Sequence, residues 1–302
     1  MFELFSVYPV FFNSMVLILG LLVGSFLNVV IHRLPIMMER SWKQEYQDYF
    51  AFSEQEQEQQ TNTMPGAPDS SSEQPYNLVV PRSSCPHCGH MIKSWENIPI
   101  ISWLFQRGKC TACHAPISVR YPLVELLTGL LSLVVAVHFG YGPQCLAALL
   151  FVWALVALTF IDLDTMLLPD QITLPLLWLG LIVNADSLFV APQTAIFGAA
   201  VGYLSLWSVF WVFKLLTGKE GMGFGDFKLL GAIGAWIGWA HLPIVIIVSS
   251  FVGALVGIAL IAIRGKDKNI PIPFGPYLAV AGLITFLYGE WIANQYWSYI
   301  LG

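Results

Sequence analysis

The chain has 302 residues, of which 56% are apolar and only 11% charged. A soluble domain carries roughly 25% charged residues, so an ordinary aqueous globule is excluded and the long uncharged runs point to a polytopic membrane protein. The net charge of −5 averages membrane and aqueous parts, and the lack of any basic stripe or basic run argues against nucleic acid as a partner.

The first predicted helix covers Pro9 to His32, long enough for a span of about 20 residues. No basic residue precedes it and no A-x-A site follows it, so it reads as an uncleaved first helix rather than a signal peptide. Gly20, Gly24 and Ser25 suit close helix packing. Asn28 and His32, near its end, read as interfacial hydrogen-bonding residues.

A long polar segment follows, from Arg33 to Arg120. Its first part includes Q-E-Q-E-Q-Q-T-N and S-S-S-E-Q-P, a composition that cannot bury enough apolar surface to order itself well. It is predicted to be a solvated insertion, whose acidic residues could attract a basic substrate tail. Its second part holds four of the five cysteines as two C-x-x-C pairs, Cys85/Cys88 and Cys110/Cys113, with 21 residues between them. Two such knuckles can present four thiolates to one ion, filling a tetrahedral zinc shell with no open position, which predicts a structural zinc site. Gly89 and Gly108 flank the knuckles, where tight turns need them. His87, His90 and His114 are nearby, and with four cysteines present they read as polar loop residues. Cys145 stands alone in an apolar run and reads as a small core residue.

Seven further apolar runs follow: Tyr121–Phe139, Pro143–Ile161, Pro169–Val183, Thr194–Leu216, Phe227–Ala240, Leu242–Ile263 and Phe274–Tyr296. With the first helix this predicts an all-α polytopic membrane protein of about eight transmembrane helices, the sixth of them short enough to be tilted or partly re-entrant. Threading the chain outside to inside through the first helix puts all 14 Lys and Arg residues inside or at an inner helix end. That agrees with the positive-inside rule and predicts both termini outside. The predicted organisation is a first helix over 1–34, a polar, partly disordered cytoplasmic insertion over 35–80, a four-cysteine zinc-binding region over 81–120 and a seven-helix core over 121–302.

The same threading sets Asp162 at the inner end of the third helix and Asp226 at the inner start of the sixth, inside G-M-G-F-G-D-F-K. The three glycines there allow turns and close backbone approach. An ionisable group at the edge of a membrane segment is a functional candidate. Two close carboxyls do not readily both ionise. The ionised one can deprotonate water while the protonated one donates to the scissile amide. Asp164 and Asp170 compete with Asp162, and the residues alone leave the three open, favouring Asp162 because it lies nearest the apolar run. Lys228 is an auxiliary candidate that would tune Asp226 or bind a substrate carbonyl. Glu125, inside the second helix, is another, able to pair with a cationic group. No H-E-x-x-H, G-x-S-x-G or P-loop is present.

These motifs resemble those of the GxGD membrane aspartyl proteases and, taken together, the bacterial type IV prepilin peptidases. The resemblance rests on G-S-F-L-N-V-V-I-H-R-L-P at 24–35, the C-x-x-C pairs around E-N-I-P-I-I-S-W-L at 96–104, R-Y-P-L-V-E at 120–125, I-D-x-D-x-x-L-L-P-D at 161–170 and G-x-G-D-x-K-L-L at 223–230. It covers nearly the whole chain, apart from the Gln-rich stretch near 45–75. It implies an inner-membrane enzyme, with periplasmic termini, that cleaves the basic leader of type IV prepilins and type II secretion pseudopilins on the cytoplasmic side. It further implies N-methylation of the new N-terminal residue with S-adenosylmethionine. It assigns the catalytic aspartates to Asp162 and Asp226. No G-x-G-x-x-G marks a methyl-donor site, and the inner loop is too short for a Rossmann domain. Protein substrates and membrane lipid are the expected partners. A transporter or channel with carboxylates on an ion path is the alternative; it would favour mid-membrane charges and repeat symmetry, and the sequence has neither. A non-catalytic assembly scaffold would not need both aspartates.

Overall fold

The computed structural model describes residues 8–58, 76–264 and 272–301. The described residues form nine α-helices. These are α1 (Pro9–Glu58), α2 (Ile101–Phe105), α3 (Arg120–Phe139), α4 (Pro143–Thr165), α5 (Asp170–Val183), α6 (Pro192–Thr217), α7 (Phe224–Ile237), α8 (Leu242–Arg264) and α9 (Gly275–Leu301). Each of the eight predicted apolar runs forms one helix, except that the run predicted over Phe227–Ala240 stops at Ile237 and continues as a 3-10 turn over Trp239–His241, and six of the helices are long and apolar enough to cross a membrane. Helices are the expected answer to lipid, where every backbone polar group must find its partner within the segment. The other two, α5 and α7, have 14 residues each. That is about 21 Å of helix, short of a hydrocarbon core of about 30 Å.

The short α7 lies at the centre. Every residue from Leu229 to Ile237 is buried, and α5, α6 and α9 pack around it. Gly198 of α6 meets Gly234 of α7 backbone to backbone, so that a Cβ on either glycine would strike the other's carbonyl oxygen. Such closeness suits helices in lipid, where association depends on packing more than on water exclusion. A helix that ends inside the bundle must also satisfy its last carbonyls. Asn184 does part of this: its Nδ2 donates to Ala235 O at 2.9 Å, while its Oδ1 accepts the N–H groups of Phe189 and Val190 at 3.0 and 3.1 Å. Trp236, fully buried, donates its Nε1–H to Leu176 O at 2.9 Å and so ties α7 to α5.

α1 differs from expectation. It does not stop near His32 but runs 50 residues to Glu58, through the first part of the predicted insertion. At 1.5 Å per residue that is about 75 Å, more than twice a hydrocarbon core. Residues 39–50 of this extension are exposed, and Lys43 pairs with Glu39 at 2.7 Å one turn away. The remaining Gln- and Ser-rich stretch, 59–75, lies outside the described residues. The chain then returns to α1, where Arg33 Nη1 donates to Asn77 O at 2.9 Å and Arg40 stacks on the Tyr76 ring at 4.3 Å.

Candidate active site and metal centre

The last turn of α4 and the first turn of α7 each carry a buried aspartate. Asp162 sits in the last turn of α4 and is 4% exposed; Asp226 sits in the first turn of α7 and is 7% exposed. The two carboxyls interact electrostatically. Neither is in an ion pair among the described residues. Asp162 Oδ2 accepts the backbone N–H of Gly275, the first residue of α9, at 2.9 Å. A Cβ at Gly275 would lie 2.6 Å from that same oxygen, so any side chain there would push the carboxyl out of this position. Leu168 wedges between the two segments: Cβ atoms placed on Gly225 and Gly275 would lie 2.7 and 3.1 Å from it. Gly225, directly ahead of Asp226, therefore serves close approach, as does Gly221 against the Phe213 ring, whereas a Cβ on Gly223 would meet only ordinary contacts. Gly223 caps α7 with extended backbone at φ −79° rather than in a left-handed turn.

The competing carboxylates are engaged elsewhere. Asp164 accepts Arg120 Nη1 at 2.6 Å, and both oxygens of Asp170 accept Lys228 Nζ at 2.7 Å. Lys228 thus lies on Asp170, not on Asp226 as the sequence reading allowed. Spacing of two along a helix turns Lys228 about 200° away from Asp226, toward the start of α5. Asp164 and Asp170 are both exposed, whereas Asp162 is the buried member of the three.

Cys85, Cys88, Cys110 and Cys113 converge, their four Sγ atoms within 4.8 Å of one another. The Cys85–Cys113 and Cys88–Cys110 separations are 3.8 and 4.0 Å. Four sulfurs about 2.3 Å from a tetrahedral ion would stand about 3.8 Å apart, so the group could hold a metal ion. The two knuckles are built alike. Gly89 N–H returns to Cys85 O and His114 N–H to Cys110 O, at 2.9 and 3.0 Å. The left-handed residue is Gly89 in the first, φ +71°, and His114 in the second, φ +57°. Gly108 flanks the second knuckle on its N-terminal side in a left-handed turn of its own, φ +65°, where a Cβ would lie 2.9 Å from the Trp103 ring. The N–H groups of His87 and Cys88 bring the Cys85 thiol down to about 7, and those of Cys113 and Ala112 lower Cys110. The His90 N–H pulls Cys88 the same way, but its contacts with the other three thiols, with burial, push it up to about 12.

Of the three histidines, His90 hydrogen-bonds Glu96 and Thr111, each at 3.3 Å, so it serves as a loop residue. Glu96 also accepts the Lys93 N–H at 2.8 Å and the Thr111 hydroxyl at 2.7 Å. The Lys93 N–H foremost, then Thr111 and His90, hold Glu96 down at about 2. Glu125 of α3 is 8% exposed and accepts the Ile100 N–H at 2.8 Å, fastening the cysteine module to the bundle. It lines a cavity beside the cysteine module. Cys145 is buried in the core as expected.

The sequence reading missed Gly275. Its signal was the Pro273-Phe274-Gly275-Pro276 cluster ahead of the last helix, a turn pattern that gives no hint of contact with a residue 113 positions earlier.

Two family models match the chain: the bacterial peptidase A24 N-terminal domain over residues 18–139 and the type IV leader peptidase family over residues 149–258. Three similar relatives each carry the name prepilin leader peptidase/N-methyltransferase. The protein from Aeromonas hydrophila is 57% identical over 296 residues, 97% of each chain. That from Pseudomonas aeruginosa is 54% identical over 289 residues, 96% of this chain and 94% of its own. That from Legionella pneumophila is 45% identical over 292 residues, 97% of this chain and 96% of its own. No solved structure matches. With identity of this order along almost the full length, the chain belongs to the type IV leader peptidase family of polytopic membrane proteins.

Proposed function

We propose that this protein is an aspartic endopeptidase of the bacterial inner membrane. It removes the basic leader from type IV prepilins and type II secretion pseudopilins, then methylates the exposed N-terminal amine. The observation that carries the peptidase reading is that Asp162 and Asp226, at the end of α4 and the start of α7, are both buried, feel each other's charge and are in no ion pair among the described residues. Basic residues gather at the same ends of the helices, which supports a cytoplasmic site and periplasmic termini.

In this reading one carboxylate takes a proton from water as the water oxygen adds to the scissile carbonyl carbon. The other, protonated, hydrogen-bonds the carbonyl oxygen and then helps deliver a proton to the departing amine as the C–N bond breaks. The Gly275 N–H fixes Asp162 for this step, so the pair is held in place by backbone. The family name of the relatives supports the second activity, for which S-adenosylmethionine supplies the methyl group. The amine nitrogen forms the new N–C bond, the old S–C bond breaks with its electrons on sulfur, and the amine proton is released.

The four cysteines would hold zinc. With all four positions filled by thiolate the ion would have a structural role, bracing the loop between α1 and α3. A channel or transporter reading draws no support from two carboxyls at helix ends. Incubating the purified protein with a prepilin, with and without S-adenosylmethionine, tests the reading by mass. Leader loss in both samples and one added methyl only with the donor are expected. An uncut prepilin would overturn the peptidase reading, and a cut but never methylated one the second half.

A further inference from the structure

A cavity of about 560 Å³ lies between α1, the start of α3 and the cysteine module, well apart in chain position from the aspartate pair. It falls in the usual range for small-ligand sites, roughly 300–1,000 Å³. Its walls combine three chemistries: flat apolar surface from Trp103, Tyr121 and Ile117, cations from Arg33 and Arg82, and the carboxylate of Glu125.

Glu125 is the telling group. It is 8% exposed, lines the cavity, and is in none of the ion pairs among the described residues. Its hydrogen-bonding needs are met in part by the Ile100 N–H at 2.8 Å and by the Ser25 hydroxyl. Close packing of α1 on α3 puts Ser25 there, since a Cβ at neighbouring Gly24 would lie 2.7 Å from Glu125 Cα. Its charge has no ion-pair partner among the described residues, and a carboxylate with so little exposure gains from a cation placed beside it in the cavity. A ligand with a permanent positive centre that brings no N–H donor of its own fits that need. A flat ring and a carboxylate elsewhere on the ligand would fit the aromatic wall and the arginines.

We propose that this cavity binds S-adenosylmethionine and that Glu125 supplies the counter-charge for its sulfonium. The proposal rests on the methyl-transfer half of the function above and adds where the donor sits and which residue reads its charge. It also gives a reason for fastening the cysteine module to α3: the hydrogen bond that fixes Ile100 closes one wall of the site.

The test uses the full-length, metal-loaded protein in detergent and measures binding of S-adenosylmethionine and of S-adenosylhomocysteine, which lacks the methyl group and the positive charge. In Glu125→Gln the amide oxygen can still accept the Ile100 N–H, so the wall is kept and the charge removed. Affinity for S-adenosylmethionine should fall on the order of tenfold or more, while that for S-adenosylhomocysteine stays within about twofold. Equal losses for both ligands, or no loss for either, would overturn the proposal. As a second measurement independent of any variant, an azido-adenosyl analogue of the donor should cross-link to wild-type peptides within 25–33, 81–92 or 115–125. Labelling confined elsewhere would also overturn it. If the wild type methylates prepilin yet fails these tests, only the cavity assignment falls; if it binds neither ligand and never methylates, the methyl-transfer reading falls with it.

Discussion

Arg120 Nη1 lies 2.6 Å from Asp164 Oδ1, and this ion pair joins the first residue of α3 to the last turn of α4. It occupies Asp164 two residues from Asp162 and leaves Asp162 as the buried carboxyl, the one whose charge Asp226 feels. Both partners are more than a third exposed, so the pair contributes little stability, between 0 and about 1 kcal/mol. Asp164→Asn should therefore keep prepilin cleavage within a few-fold of wild type, whereas Asp162→Asn should abolish it. Initial cleavage rates of the two purified variants separate these outcomes. Equal loss in both would return Asp164 to candidacy.

Gly275 offers a test that touches neither aspartate. Gly275→Ala keeps the N–H donor but sets a methyl group 2.6 Å from Asp162 Oδ2. The carboxyl must move, and a misplacement of about 1 Å can cost on the order of 10²-fold in rate. The expected result is a large fall in kcat with normal membrane insertion and normal metal content. A wild-type kcat would mean that this contact does not position the carboxyl.

Metal content tests the cysteine cluster. Purified protein should carry about one zinc ion per chain, and Cys85→Ser or Cys110→Ser should lower it and open residues 81–118 to protease. The thiolates compete with protons for the ion. Retention should therefore weaken as pH falls. A folded wild-type protein with no zinc would contradict the four-thiolate site.

Glu96 braces the same module through Lys93 N–H, the Thr111 hydroxyl and His90. Its folded value of about 2 lies below the ordinary carboxylate range, so its contribution is present above roughly 4.3 and is lost as pH falls through about 2. Stability of the module should not change through this group between pH 5 and 8. Glu96→Gln should raise hydrogen exchange across 90–113 at neutral pH; unchanged exchange would show that the bonds contribute nothing measurable.

The helices and the cysteine cluster were legible because their signals are local. Uncharged runs of about 20 residues have few alternatives to helix in lipid, and C-x-x-C spacing fixes a knuckle by itself. The extension of α1 to Glu58 was not legible in a reading based on apolar periodicity. Glu, Gln, Lys and Arg have good helix propensity, so a polar helix can form without an apolar stripe to announce it. Nor could spacing reveal that Lys228 reaches Asp170 across 58 residues, or that Gly275 reaches Asp162 across 113. Those contacts belong to packing. The choice among Asp162, Asp164 and Asp170 is of the same kind. Nearness to an apolar run favoured Asp162, but the ion pairs that engage the other two are formed with Arg120 and Lys228, residues far away in sequence.

The central claim is that Asp162 and Asp226 together cut the leader. The most direct measurement is prepilin cleavage by purified Asp162→Asn and Asp226→Asn proteins, each compared with wild type at equal protein and metal content. The account predicts no detectable leader removal by either. Cleavage at the wild-type rate by either variant would contradict it.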